Sequence, residues 1–258
     1  MADLPEGDVG QARAPIVGRE GGEKRLSLLT RAGRVLRPVL FWWATTFVVF
    51  SVVWVQVYHF TNPTSTWLMR AEAARLGQIE AEWTGFDGIP VTLARSVMAA
   101  EDARFCEHWG IDFEAAQHAA KRYLSGQGRL LGGSTITQQV AKNVFLWPER
   151  SLFRKGLEFW FAVLIEISWS KRRIMEVYLN VAEFGPGAFG VDAATREHFG
   201  GRAAGLSHDQ AARLAAVLPS PRRLDPAALD EAGLARVEQI RVGADDLAIT
   251  GRAECVGG

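Results

Sequence analysis

Cysteine is scarce in this chain: Cys106 and Cys255 are the only two among 258 residues. A small disulfide-stapled scaffold is therefore excluded, and at most one intramolecular bridge is available. An excess of charge of one sign is missing too, since 29 basic side chains balance 29 acidic ones. No global field then draws nucleic acid, and any anion must be held by a local cluster. Strand-like alternation is rare and no internal repeat is visible, which leaves helices as the main element. What the chain has in quantity is aromatic: nine Trp and fourteen Phe, many crowded around apolar stretches. That load suits a deep core or a surface working against lipid.

The first stretch, Met1 to about Gly22, is rich in Gly, Pro, Ala and charge and reads as a disordered tail. Lys24, Arg25, Arg31, Arg34 and Arg37 follow as a basic patch. From Val39 to Tyr58 there is no Asp, Glu, Lys or Arg. About twenty such residues cross a bilayer core as a helix, and Trp42, Trp43, Trp54 and Tyr58 fit interfacial anchoring. A cleaved signal peptide fits poorly, because the run starts late, is long, and ends without a small-x-small site. A buried core helix would need a polar face, and there is none. The basic excess before the span places residues 1–37 in the cytoplasm, a transmembrane helix at 38–60, and the remainder outside.

Beyond the span, Ser65 to Glu82 reads as a short helix and linker. Helical spacing recurs at Leu93–Phe105, Phe113–Leu124, Thr135–Phe145, Leu152–Trp169, Lys171–Ala182 and Ser207–Leu218. The Pro-rich run Leu218 to Pro226 breaks the pattern and closes the compact domain. A domain over 61–230 and a C-terminal tail over 231–258, with a weak helix at its start, follow from this.

Four segments carry chemistry. In AAEDARFCEHWGIDF, Glu101 and Phe105 are expected one turn apart on a helix, an environment that raises a carboxyl pKa toward general acid or base work. The plain alternative is an exposed acidic pair. In LGGSTITQQVAKN, two glycines precede Ser134 and Thr135, which cap a helix through Gln138, Gln139 and Lys142. A helix start of this kind offers free N–H groups to phosphate, or is simply a capped helix after a turn. In ERSLFRKGLEFWF, Arg150, Arg154 and Lys155 cluster at the head of an apolar helix, with Glu158 one turn past Lys155. Either the pair is exposed, or these charges sit paired in a cleft. In the fourth segment, Ser170 to Gly200, Glu176, Tyr178 and Asn180 lie on a helix ending in a Gly/Pro turn, where they brace a site or pack as structure.

In order and spacing, EDARFCEHWG (the pattern ED-x-x-F-x-x-H-x-G), GGSTITQQVAKN, RKGLE, and KRRIMEVYLN followed by FGPGAFG resemble the glycosyltransferase domain of penicillin-binding proteins and monofunctional peptidoglycan transglycosylases. The resemblance spans about Val91 to Pro226. Ser168 and Lys171 also fit S-x-x-K, the nucleophile motif of transpeptidases. No K-T-G accompanies it, so no acyl-transfer role is assigned.

The resemblance implies a mainly α, lysozyme-like glycosyltransferase domain behind one transmembrane helix. It implies polymerisation of lipid II onto a lipid-linked growing glycan, with inversion and release of polyprenyl pyrophosphate. Glu101 would be the general base, and Glu158 the second glutamate, acting on the leaving group directly or through a divalent cation such as Mg or Mn. Asp102, Phe105, Ser134, Thr135, Gln138, Gln139, Lys142, Arg150, Arg154 and Lys155 would bind substrate or pyrophosphate. His108, Glu176, Tyr178 and Asn180 would support the site. The expected partners are the membrane and the cell-wall synthesis machinery, with no nucleic acid, at the inner membrane. The rival classes are a lysozyme-like lytic enzyme and an inactive cell-wall scaffold. On this topology both cysteines face an oxidising space. Either they bridge, closing a loop of about 150 residues worth roughly 5 kcal/mol in the chain-entropy model, or Cys106 is a buried apolar residue and Cys255 a free thiol.

Overall fold

A computed structural model describes residues 19–126, 133–149 and 151–257. The chain divides into two compact units, residues 1–50 and residues 51–258.

The first unit holds most of α1 (Arg19–Phe60), a helix of 42 residues with Pro38 inside it. It starts well upstream of the expected span at 38–60. The basic tail expected to be disordered is thus helical from Arg19 onward, in keeping with the helix formers of its Glu-Lys-Arg-Leu run. Its earlier residues lie outside the described ones. Leu36–Phe60, 25 residues of mean hydropathy 1.8, is long and apolar enough to cross a membrane. Trp42 and Trp43 are exposed on it.

The last turns of α1 belong to the second unit and to its core. Val55 is fully buried, its carbonyl accepting from Trp169 Nε1 at 3.0 Å. Trp54 meets Phe145 and Phe161 edge-on, and Tyr58 meets Phe145. Interfacial anchoring was expected of Trp54 and Tyr58; their rings pack on Phe145 and Phe161. Arg173 Nη2 donates to the Tyr58 and Thr61 carbonyls, at 3.0 and 2.6 Å. It thereby satisfies carbonyls that a helix end leaves open.

In order, the second unit continues with α2 (Trp67–Leu76), β1 (Glu80–Ala81), α3 (Val91–Glu101), α4 (Phe113–Leu124), α5 (Ile136–Phe145), α6 (Leu152–Ser168), α7 (Lys171–Val181), β2 (Glu183–Gly185), β3 (Ala188–Phe189), α8 (Val191–Phe199), α9 (His208–Val217) and α10 (Glu231–Ile249). The mainly α class holds. The small sheet runs β1-β3-β2, parallel at Glu80↔Ala188 and antiparallel at Glu183↔Phe189. It arises from the Gly/Pro turn after α7, where Gly187 takes φ +80°.

Two helix groups frame the site. Helix α5 packs on α6 and α7, while α3 is held by α9 and α10. The α3 face Leu93, Ala94, Val97 and Met98 is fully buried, at the three- and four-residue spacing that makes one helical stripe. The segment 231–258, expected to be a tail, is part of this body. Val237, Ile240, Ala244 and Leu247 form the buried face of α10, and Ala253 and Val256 beyond it are buried as well. At Gly243 the helix comes so close to α3 that an added Cβ would stand 3.1 Å from the Ala99 methyl carbon. Cys106 and Cys255 form a disulfide with a Cα separation of 5.7 Å, inside the range such bonds require.

Candidate active site

Helix α3 ends at Glu101, not at Phe105. Asp102 leaves the helix at φ −160°, ψ 72°, and turns fill 103–110. Phe105 therefore does not share a helical face with Glu101. It is fully buried, with the Lys171 ammonium 4.5 Å from its ring centroid. Its expected part in binding substrate is corrected to one in packing.

The same turn sends Asp102 inward. Its Oδ2 accepts from the Ile136 N–H at 3.0 Å, and its Oδ1 lies 2.9 Å from His108 Nε2. A carboxylate on the first N–H of α5 also faces the positive end of the helix dipole. Thr135 caps the helix in a reciprocal box with Gln138, and its hydroxyl donates to the Gly110 carbonyl at 2.6 Å. At the start of α5 the Ile136 and Gln138 N–H groups are thus taken by the protein's own oxygens, so these two are not the free donors expected for phosphate. Asp102, Thr135 and Gln138, all buried, join the first two sequence blocks through these bonds. Gly110 allows the junction: it takes φ +79°, and a Cβ there would stand 2.8 Å from Glu166 Cγ.

Glu101 stays at the edge of an open cavity of about 260 Å³, bounded by Ala99–Arg104, Asp112, Ala115 and Gly133–Thr135. Gln139 Nε2 donates to Glu101 Oε2 at 2.8 Å, and the buried Tyr178 hydroxyl stands behind Gln139 at 3.4 Å. Burial pushes the Glu101 carboxyl above the ordinary glutamate range. The Gln139 hydrogen bond and the charges of Arg236 and Lys142 pull it partly back, while Asp102 adds to the rise.

A second cluster follows through Ser134. Lys155 Nζ donates to Ser134 Oγ at 3.1 Å and pairs with Glu158 Oε1. Glu158 is only 3% exposed, and its other oxygen faces Arg154 Nη1 at 3.4 Å. The charges at the head of the apolar helix are therefore paired, and Lys155 is the more open one. Lys142 falls between the two glutamates. Its pKa is lowered by burial and by Arg154 and Lys155, and raised in part by Glu158 and Glu101. Arg150 lies outside the described residues.

Glu176 accepts from Trp83 Nε1 at 3.2 Å, and Asn180 brackets Thr84 through both its N–H and its carbonyl. These α7 side chains tie the 83–84 loop to the helix. Lys171 Nζ donates to the His108 carbonyl at 2.7 Å and to Glu166 at 2.8 Å. Ser168 Oγ accepts from Gln56. Both residues of the S-x-x-K match are thus engaged elsewhere.

The residues fit a divalent cation poorly. Both Glu158 oxygens face cationic nitrogens, so a metal there would meet two positive charges. Asp102, His108 and Asp112 have ligand atoms close together. However, both Asp102 oxygens are spent, and Asp112 Oδ1 accepts from the Ala115 N–H. Sequence reasoning missed Arg236, whose charge reaches Glu101 from α10, and Arg252 and Arg104 beside the turn. The signal for Arg236, the helical spacing of Val237, Ile240, Ala244 and Leu247, was in the sequence but interrupted by Gly243 and an Asp pair.

The Transglycosylase family signature matches residues 70–243, which include both clusters. The chain is similar to a biosynthetic peptidoglycan transglycosylase of Caulobacter vibrioides, 51% identical over 188 residues that cover 73% of this chain and 82% of the relative. It is also similar to proteins of the same description from Jannaschia (47% over 204 residues, 79% and 83%) and Pseudomonas putida (48% over 194 residues, 73% and 80%). With a signature over most of its length and relatives this similar along most of theirs, the chain belongs to the transglycosylase family.

Proposed function

We propose that this peptidoglycan transglycosylase extends a lipid-linked glycan with lipid II, with Glu101 as the general base. The observation that carries the reading is the placing of Glu101 at an open cavity, its carboxyl raised by burial and held by one amide. A base poised above the ordinary carboxylate range takes a hydroxyl proton more readily than an exposed glutamate does. The acceptor sugar hydroxyl loses its proton to Glu101 and attacks the donor anomeric carbon. The bond to pyrophosphate breaks on the opposite face, inverting the centre.

Lys142, Lys155 and Arg154 are the groups to meet the growing pyrophosphate charge. Lys155 is partly exposed, and Arg154 Nε is buried without a partner among the described residues, a donor that a phosphate oxygen would satisfy. Glu158 holds these cations in place. Ser134 and Gln139 face substrate, and Arg150 is assigned to the same pyrophosphate group by the resemblance. The apolar segment Leu36–Phe60 serves as a single-pass anchor, with the basic stretch before it in the cytoplasm and the domain outside the inner membrane. Anchoring raises the local concentration of substrates that are themselves lipid-tethered. Other proteins of cell-wall synthesis are its expected neighbours.

Incubation of the full chain in detergent or vesicles with purified lipid II tests the reading. Formation of glycan polymer and free polyprenyl pyrophosphate is the expected result. Release of fragments from finished peptidoglycan without polymer formation would favour the lytic class, and no single turnover on lipid II would favour a scaffold.

A further inference from the structure

The turn that follows Glu101 is clamped from outside by the segment at 250–257. Arg252 Nε donates to Glu107 Oε1 at 2.7 Å and Arg252 Nη2 to the Ala103 carbonyl at 3.1 Å. Cys255 is bonded to Cys106 between these two contacts. The segment is itself rooted, since Ala253 and Val256 are buried and its short helix packs on α7. From within, the turn is held by Lys171 on the His108 carbonyl and by Asp102 on α5. Residues 101–104 bound the cavity, so whatever sets the turn also sets the wall beside Glu101.

We propose that residues 250–257 form a positioning strap for Glu101, with Arg252 and the Cys106–Cys255 bond as its two ties, and that the oxidation state of that bond sets the turnover of the enzyme. This inference rests on the assignment of Glu101 as the base. A dithiol is the reductant: the S–S bond breaks, each sulfur takes up one electron and one proton, and the dithiol becomes its own disulfide. Both sulfurs belong to half-buried residues, within reach of such a reagent. They are also the only cysteines in the chain, so the reagent has one target. After reduction the strap stays rooted through Ala253 and Val256, while the turn loses its covalent tie. Displacement of a reacting group by about 1 Å is enough to cost on the order of a hundredfold in rate.

The test uses the full chain in lipid vesicles, polymerising lipid II before and after dithiothreitol, with free thiols counted. The expected result is a fall in kcat of about tenfold to a hundredfold on reduction, with KM moving less and with recovery on reoxidation. The acid limb of kcat/KM should also move to lower pH, because a loosened wall admits water to Glu101. The charged and titratable groups facing it there are Asp102, Lys142, Tyr178 and Arg236. Partial unfolding alone would lower the amplitude and leave that limb in place. Arg252→Ala should show the same limb shift in smaller measure. A Cys106→Ser/Cys255→Ser double variant should start at the reduced level and ignore dithiothreitol. Two free thiols per chain with unchanged kcat and an unchanged acid limb would overturn the strap. Failure of the oxidised wild-type protein to polymerise lipid II would overturn the active-site reading instead.

Discussion

Gln139 Nε2 donates a 2.8 Å hydrogen bond to Glu101 Oε2, and this amide is the one group whose side chain bonds the Glu101 carboxylate among the described residues. A single neutral donor steadies a buried carboxylate without removing its basicity. An arginine in that place would hold the proton affinity down and disable the base.

Glu101→Gln should lower lipid II polymerisation by at least about a hundredfold, the lower end of the usual range for acid–base catalysis. The fold should survive, because the substitution keeps size and removes a half-buried charge. Turnover is measured against thermal melting. Activity within about tenfold of wild type would remove Glu101 from the mechanism.

The acid limb of activity should lie above the ordinary glutamate range, since the base works only when ionised and burial raises its pKa. Gln139→Leu removes the hydrogen bond that lowers it, and should move the limb further up. Stability runs the other way. A carboxyl raised in the folded state contributes stability at low pH, where it is protonated in both states, and loses that contribution as pH rises through the raised value. Glu101→Gln should therefore gain on wild type in melting temperature as pH increases across that window. A gap that does not change with pH would contradict the burial argument.

Lys142→Met should reduce turnover by tenfold or more, on the order expected for loss of one charge-stabilising group, with little loss of stability, because the lysine is held charged against burial. The acid limb of any residual activity should rise, since the Lys142 charge pulls the Glu101 pKa down. An unmoved limb would place the lysine outside the reach of the base.

Glu158→Gln and Lys155→Ala separate structure from chemistry. The first leaves buried Arg154 without its counter-charge and should cost about 3–5 kcal/mol of stability. The second removes a side chain that is 38% exposed and should cost no more than about 1 kcal/mol, yet lower catalysis clearly. Parallel losses of melting temperature and activity in Lys155→Ala would make that lysine structural.

Fluorescent penicillin should leave Ser168 unlabelled, because Lys171 is bonded to His108 and Glu166 and is not free to act as a base. A phosphoglycolipid that mimics the lipid-linked donor should inhibit polymerisation. Covalent labelling at Ser168 would reverse the assignment of that motif.

Much of the fold could be read in the residues. The apolar spacing of α5, α6 and α7 placed those helices within a residue or two of their ends. The extent of α3 could not be read, because Phe105 continues the helical spacing. What ends the helix is a long-range event, the capture of Asp102 by the Ile136 N–H. The same blindness hides the internal bonds of other site candidates. Asp102, Phe105, Thr135 and Gln138 have the chemistry to bind substrate, and only tertiary structure reveals that Phe105 is enclosed and that the other three bond to the start of α5, to His108 and to the Gly110 carbonyl. After the proline run the sequence marks only a weak helix and a tail, although the buried face of α10 keeps a helical period, because composition cannot tell a linker from a corner.

The Cys106–Cys255 bond joins positions 149 residues apart, and this imposes an order of events on the newborn protein. At synthesis rates of roughly 5–20 residues per second, Cys255 is made some 7 to 30 s after Cys106. For most of that interval Glu101 exists without α9 and α10, the helices that hold α3, and the turn beside it has no strap. The cavity wall beside Glu101 is therefore among the last parts of the molecule to be finished. A chain interrupted after Arg236 but before Cys255 carries Glu101 and every charged group around it in a form that has never been tied shut.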